Sequence, residues 1–312
     1  MEGNMIEVKN LVKRYGDLLA LDHFNLSVQD GEIFGLLGPN GSGKSTAINC
    51  MLGLLRYEQG EVRLFGEPMT PTSYESKRKI GVVMQNVAVF EELSVQENIE
   101  YFCSLYVKDR QRCKQLAQEA MEFVGIEEFY KMRPKKLSGG LLRRLNIACG
   151  IAHKPSLIFM DEPTVAVDPQ SRNNILEGIQ RLCREGATVV YTTHYMEEAE
   201  QLCSRIMIMD KGREVATGTK EELKAMIRAG EKIKLEIYAL PVPVLEQIRR
   251  LPEVKSAAYQ EGELTMESSS AHVLVSVLDL LRQAGLVPGR IFSEPPTLND
   301  VFLEMTGKQL RD

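Results

Sequence analysis

The stretch IFGLLGPNGSGKSTAINC, residues 33 to 50, constrains the fold of this chain more than any other segment. An apolar run ends in a loop with three glycines, and a helical pattern begins at once after it. Strand, glycine loop and helix in that order are the context in which G-x-x-x-x-G-K-[ST] becomes a phosphate site. Backbone N–H groups at Gly38, Asn40, Gly41, Ser42 and Gly43 are placed to cradle phosphate oxygens. Lys44 follows to reach the outer phosphates, Ser45 offers a hydroxyl to a magnesium ion, and Thr46 closes the motif.

A second anion-seeking element lies a hundred residues downstream. LSGGLLRRL, Leu137 to Leu145, sets a serine and two glycines at the entry of a helix, where uncapped N–H groups favour negative charge. One chain with two such loops raises the question of what the second one binds. Beyond both, SLIFMDEP is a short, continuously apolar strand closed by Asp161 and Glu162, the pattern of a strand buried on both faces. In a parallel sheet the carboxyl ends of strands face the ligand crevice. Asp161 is therefore a candidate for holding magnesium and Glu162 for polarising an attacking water. Gln85 and His194 each follow an apolar strand-like run, KIGVVMQ and ATVVYTTH, which puts them at the same edge.

The remaining pattern defines two parts. MIEVKNLVKRY and ALDHFNLSVQDGE read as strands, as do GEVRLFGEP and KIGVVMQ. SVQE at Ser94 to Glu97 is a capping box opening a helix to about Tyr106, and helical periodicity continues to about Glu128. Another helix follows LSGG and ends near HKP. Asp168 and Pro169 open a further helix with Ile175, Ile179 and Leu182 on one face, and Gly186 ends it. The strand and helix alternation predicts a parallel sheet covered on both sides. Near Ala229-Gly230-Glu231 the character changes to a short charged linker. Beyond it KIKLEIYAL, VKSAAYQ and ELTMES read as strands, and Val242 to Leu251 and Ala271 to Ala284 as helices, a small α+β domain.

Composition excludes several function classes. A net charge of −5 over 312 residues and a pI near 5.6 argue against a nucleic acid as main partner. Basic runs at Lys77-Arg78-Lys79 and Lys135-Lys136 read as solvated faces. Six dispersed cysteines without a C-x-x-C pair read as reduced thiols of a cytosolic protein, not as a disulfide frame or zinc site. MEGNMIEVKN lacks the apolar core of a signal peptide, and no uncharged apolar run reaches about 18 residues.

Taken in order, GPNGSGKST, LSGG, LIFMDE, the DP at Asp168-Pro169 and TTH ending at His194 resemble an ABC-type ATPase, the nucleotide-binding subunit of ATP-driven transporters. The resemblance implies a P-loop NTPase α/β fold over residues 1–228, with an N-terminal antiparallel β subdomain and a helical subdomain inserted at about 90–150. Residues 231–312 remain as the small C-terminal α+β accessory domain. It implies ATP and magnesium as cofactors, with Ser45, Gln85 and Asp161 on the metal side and Tyr15 stacked on adenine. It also carries over Glu162 as the base for water, Gln85 as the sensor of magnesium and γ-phosphate, and His194 as a γ-phosphate contact. Ser138, Gly139 and Gly140 are expected to close the nucleotide of a second copy or a paralogous ATPase subunit, with Asp168 linking the protomers.

The tail SEPPTLNDVFLEMTGKQLRD and the segment TVAVDPQSRN are similar to those of ATPases driving ABC-2 type drug, antibiotic and ion exporters. The chain departs from the pattern at Leu141, where many members have glutamine, and at Val167, where leucine is usual. The expectation is a homodimeric ATPase on the cytoplasmic face of the cell membrane, driving a separate permease, with no nucleic acid partner. The alternative is a soluble mechanical ATPase acting on ribosomes or DNA, a class that usually carries two such domains or long coiled-coil insertions. A small-molecule kinase or GTPase with the same phosphate loop has no need of LSGG.

Overall fold

The computed structural model describes residues 4–165, 167–227, 231–268 and 273–307. Ala166 of TVAVDPQSRN, Ala229 and Gly230 of the expected linker, Ala271 of the expected helix and the last five residues lie outside them. Two compact units divide within the chain at Lys220 and Glu221.

In the first unit, β1 (Asn4–Tyr15) and β2 (Leu18–Gln29) form a hairpin that turns on Gly16 at φ 58°. β4 (Gln59–Leu64) and β5 (Glu67–Pro68) complete a four-stranded antiparallel sheet in the order β2-β1-β4-β5. The central sheet holds β3 (Ile33–Leu37), β6 (Ile80–Val83), β7 (Leu157–Asp161), β8 (Thr188–Thr193), β9 (Arg205–Asp210) and β10 (Arg213–Gly218). Their spatial order is β10-β9-β3-β8-β7-β6. Every residue of β3, β7 and β8 is buried, because both faces of the sheet are covered, one of them by a core shared with the antiparallel sheet. The strand and helix alternation predicts a parallel sheet and leaves β9 and β10 unassigned, and β10 returns antiparallel to β9 at the edge. Lys211 and Gly212 at φ 49° and 77° make the tight turn that reverses the chain there.

Helix α1 (Lys44–Met51) leaves the phosphate loop, and the single turn α2 (Tyr74–Lys77) precedes β6. The inserted helical region contains α3 (Val95–Ser104), α4 (Arg110–Val124) and α5 (Gly139–Ile151). The capping box forms as expected, with Ser94 accepting from Glu97 N and Glu97 accepting from Ser94 N. The helical periodicity is broken between α3 and α4, because Asp109 caps a new helix. Val95, Ile99, Leu116, Ala117, Met121, Leu145 and Ala148 give the three helices their own core. α6 (Pro169–Arg184), α7 (Met196–Leu202) and α8 (Lys220–Ala225) follow.

At the seam between α3, α5 and β6, Tyr106 stacks on His153 with ring centres 3.8 Å apart. Nε2 donates to the Ile80 carbonyl at 3.1 Å, while the buried Nδ1 has no partner among the described residues. Burial pushes the imidazole from 6.5 down to about 4. The folded chain therefore takes up this proton later than the unfolded chain, so stability is lost as pH falls from 6.5 toward 4. The loss sums to about 3 kcal/mol at about 1.36 kcal/mol per pH unit. Urea unfolding at pH 7 and pH 4.5 is expected to show that slope in the parent and not in His153→Phe. An equal slope in both chains removes His153 from the effect.

The second unit runs β11 (Glu231–Glu236), α9 (Val242–Arg249), β12 (Val254–Gln260), β13 (Glu263–Ser268), α10 (Val273–Gln283) and β14 (Ile291–Glu294). The antiparallel order β12-β13-β11-β14 is the split βαβ arrangement of ferredoxin-like folds. Ile233, Leu235, Leu264 and Met266 face Val244, Ile248, Val277 and Leu281 in one core. β14 and α11 (Leu298–Thr306) lie outside the elements expected from the sequence.

Candidate active site

The phosphate loop joins the carboxyl end of β3 to α1, and two of its glycines, Gly38 and Gly43, are set by close backbone approach. Gly43 sits at φ 108°, and a Cβ there would stand 2.7 Å from the Ala20 carbonyl oxygen. At Gly38 a Cβ would run into the Met209 carbonyl oxygen. Gly43 caps α1 without a side-chain acceptor, so the first N–H groups of the helix remain available to an anion. Ser42 Oγ is buried with no partner among the described residues. Asn40 and Gly41 are exposed at its tip, and Ser45 and Thr46 are half-buried in the first turn of α1. The cradle and its donor set fit a polyphosphate.

Lys44 is 5 % exposed and donates to the carbonyls of Gly38 at 2.7 Å and Pro39 at 3.1 Å. Its ammonium also lies 3.3 Å from Glu162 Oε1. Burial lowers the Lys44 pKa and the Glu162 charge acts against that shift. The other carboxylate oxygen of Glu162 accepts from Gln85 Nε2 at 3.2 Å and lies 3.4 Å from His194 Nδ1. The histidine contact is close without the alignment of a hydrogen bond. Lys44 at the start of α1, Gln85 after β6 and His194 after β8 thus meet on one buried carboxylate.

The backbone explains why that carboxylate faces the loop. β7 ends at Asp161, and Glu162 turns into the left-handed region at φ 47°. A residue with a Cβ adopts that region at a cost of roughly 1–2 kcal/mol. Thr192 of β8 holds the turn, its Oγ1 accepting from Glu162 N at 3.0 Å and its own hydroxyl donating to Asp161 Oδ1 at 2.6 Å. The Asp161 carboxylate and the Ser45 hydroxyl are hard oxygen donors of the kind that bind magnesium.

Tyr15 closes β1 with its ring 46 % exposed and Lys13 Nζ 5.0 Å from the ring centre.

The LSGG segment is built differently. Ser138 caps α5 by accepting from Leu141 N at 3.3 Å, and Ser138 and Gly139 are exposed while Gly140 is buried. Gly140 packs on the start of α6, where an added Cβ would lie 2.8 Å from Ser171 Oγ and 3.2 Å from Asp168 Oδ2. Asp168 caps α6 through Ser171 N at 2.9 Å, and that hydrogen bond lowers its pKa.

Over 311 residues the chain is 39% identical to the linearmycin resistance ATP-binding protein LnrL of Bacillus subtilis (strain 168), covering 99% of this chain and 100% of that protein. Residues 21–165 match the ABC transporter family. The chain belongs to the ABC transporter ATP-binding subunits. A Nod factor export ATP-binding protein I of Burkholderia orbicola (strain AU 1054) is 34% identical over 98% of both chains. The daunorubicin resistance ATP-binding protein DrrA3 of Streptomyces coeruleorubidus is 33% identical over 100% of this chain and 98% of its own. Among solved structures, the dimeric post-hydrolysis state of the ATP-binding cassette MJ0796 bound to ADP and Pi superposes with a TM-score of 0.64. That match is 29% identical and covers 69% of this chain and 98% of the cassette. The fold is thus the ABC ATPase form of the P-loop NTPases, and the chain is an ATPase.

Two buried charges of this ABC ATPase escape a motif search. Arg143 on α5 is 3 % exposed and directs its whole guanidinium at main-chain carbonyls. Glu198 on α7 is also 3 % exposed and accepts from Tyr191 Oη at 2.7 Å, Thr164 Oγ1 at 2.9 Å and Thr193 Oγ1 at 3.1 Å, with Arg172 Nε 3.3 Å from its other oxygen. It ties the strand before His194 to the segment after Glu162 and to α6. The charge of Glu198 four residues after His194 on an otherwise apolar face is the only trace in the sequence.

Proposed function

We propose that the chain is the ATPase of an exporter, dimerising around two MgATP and driving a separate integral membrane permease from the cytoplasmic face of the cell membrane. The observation that carries this reading is the convergence of Lys44, Gln85 and His194 on Glu162, in a chain aligned end to end with export and resistance ATP-binding proteins. Among the described residues no helix is long and apolar enough to cross a membrane, so a membrane role requires a partner that does.

Tyr15 stacks on the adenine, and the N–H groups from Gly38 to Gly43 hold the phosphate oxygens. Lys44 exchanges its loop carbonyls for the β- and γ-phosphates. Ser45 and Asp161 would hold a magnesium ion by their oxygens, with Gln85 beside them, and the ion would supply neutralisation of the phosphate charge. Glu162 accepts a proton from the water that attacks the γ-phosphorus, and the bond to the leaving ADP oxygen breaks. His194, on the other side of Glu162, contacts the γ-phosphate as charge moves onto it. Ser138, Gly139 and Gly140 of one protomer close the ATP of its partner, and Asp168 beside Gly140 lies at the junction. Residues 1–228 form the nucleotide-binding domain in this reading and residues 231–312 an accessory domain.

The permease docks on the helical subdomain. Phe90 and Tyr101 are 42 % and 44 % exposed and pack edge to face at 4.9 Å, with Phe102 beside both. This aromatic patch begins five residues after Gln85, so a permease helix seated on it feels the state of the nucleotide. Phe90→Asp and Tyr101→Glu are expected to abolish most ATP-driven transport by the assembled complex while ATP affinity of the subunit changes less than twofold. Transport at the parental rate in both variants places the docking surface elsewhere. Affinity purification from membranes tests the reading as a whole. Recovery of one integral membrane protein supports it, and recovery of ribosomes instead overturns it.

A further inference from the structure

Arg143 lies on α5, five residues after the serine of LSGG, and among the described residues none of its nitrogen atoms meets a carboxylate. A guanidinium has five N–H donors in a fixed fork. Here all five are used, each on a different backbone carbonyl. Nε donates to Pro163 O at 2.6 Å, and Nη1 donates to Met84 O at 3.0 Å and Gln85 O at 2.7 Å. Nη2 donates to Asp161 O at 3.3 Å and Glu162 O at 2.6 Å. Asn146, one turn on, adds to the same attachment by accepting from Ala88 N at 3.1 Å and donating to Met84 O at 3.4 Å. Two segments far apart in sequence, the glutamine loop and the strand end carrying both carboxylates, are thereby fastened to the helix whose N-terminus is LSGG.

We propose that Arg143 is a positioning residue that sets the left-handed turn at Glu162 and the place of Gln85 together, and transmits movement of α5 to both. The inference rests on the reading of Glu162 as the water-activating carboxylate. Carbonyls on either side of a residue at φ 47° diverge from strand geometry. A single planar donor fork bridging Asp161, Glu162 and Pro163 keeps that turn from relaxing into the β region. The same fork holds the carbonyl of Gln85, so the amide that contacts Glu162 Oε2 cannot shift without the carboxylate. Any tilt of α5 when its N-terminus meets a ligand moves both groups. Lysine cannot reproduce this, having three donors on a flexible stem and no plane.

Arg143→Lys and Arg143→Gln are the variants to test, each assayed for phosphate release, ATP affinity with a fluorescent ATP analogue, and melting temperature. The expected result is a kcat lowered by about 10²-fold, the scale of a 1 Å misplacement, with KM and analogue affinity within threefold of the parent. Combined with Glu162→Gln, Arg143→Lys is expected to cost nothing further, because a residue acting through Glu162 has nothing left to position. Parental kcat in either single variant, or an additional loss in the double variant, overturns the proposal. Loss of folding, or of ATP affinity in step with kcat, in both variants also overturns it, leaving Arg143 a structural stabiliser. If Glu162→Gln alone turns over ATP at the parental rate, the failure belongs to the reading of Glu162 and not to Arg143.

Discussion

A Glu162→Gln chain is expected to bind ATP more tightly than the parent and to hydrolyse it about 10²–10⁴-fold more slowly, the span that loss of a general base produces. The substitution is close to isosteric, so the left-handed backbone at φ 47° and the two hydrogen bonds of its N–H to Thr192, at 3.0 Å and 3.2 Å, are retained. What changes is charge. The carboxylate stands 3.3 Å from Lys44 Nζ, and phosphate oxygens compete with it for the same ammonium. An amide in its place weakens the competitor and leaves Lys44 free for the γ-phosphate, which raises affinity. The same amide accepts no proton from water, which removes the hydrolytic step. Single-turnover phosphate release and equilibrium binding with labelled ATP separate the two effects. A kcat within twofold of the parent excludes Glu162 as the base, and a drop in affinity excludes its competition for Lys44.

The second large effect concerns LSGG. A Lys44→Ala chain and a Ser138→Asp chain, each also carrying Glu162→Gln so that hydrolysis cannot dissolve the pair, are expected to associate with ATP only when mixed. Lys44→Ala removes the one buried cation that touches the loop carbonyls of Gly38 and Pro39, and with it the charge that balances the outer phosphates. Ser138→Asp keeps the cap on Leu141 N, since aspartate caps helices as well as serine does. It adds a carboxylate on an exposed position, and that charge repels a neighbour's γ-phosphate. Gly140 is the wrong place for this charge, because a Cβ there meets Ser171 and Asp168 of its own chain first.

Each homodimer has two damaged sites. The mixture can pair the intact phosphate loop of the Ser138→Asp chain with the intact LSGG of the Lys44→Ala chain, rebuilding one site. Light scattering of differently tagged chains with and without ATP reads the outcome. A mixture that associates no better than its components rules out completion of one site by the other protomer's Ser138.

Some elements were legible because their signals are local. GPNGSGKST declares its own turn, helix start and cation within nine residues, and SVQE carries both halves of a reciprocal cap. VKSAAYQ and ELTMES alternate in strand fashion and form β12 and β13 over those very residues. IFSE, by contrast, is four residues long and exposed throughout, so β14 carries no alternation to recognise and exists only because β11 offers a free edge. Likewise RIMIMD and REVATG are separated by a Lys-Gly pair whose two positive φ values make the hairpin that places β10 antiparallel.

The sequence by itself determined the phosphate cradle, the carboxylates at a strand end, the signature serine and glycines, and hence the ATPase family. Each of these depends on residue types at fixed short spacing. Only the tertiary structure decided what controls them. The turn that aims Glu162 at Lys44 depends on Thr192, thirty positions on, and on Arg143, whose partners are carbonyls 18 to 59 residues away. A backbone carbonyl is the same atom at every position of a chain, so a side chain that binds five of them leaves no partner for the sequence to reveal.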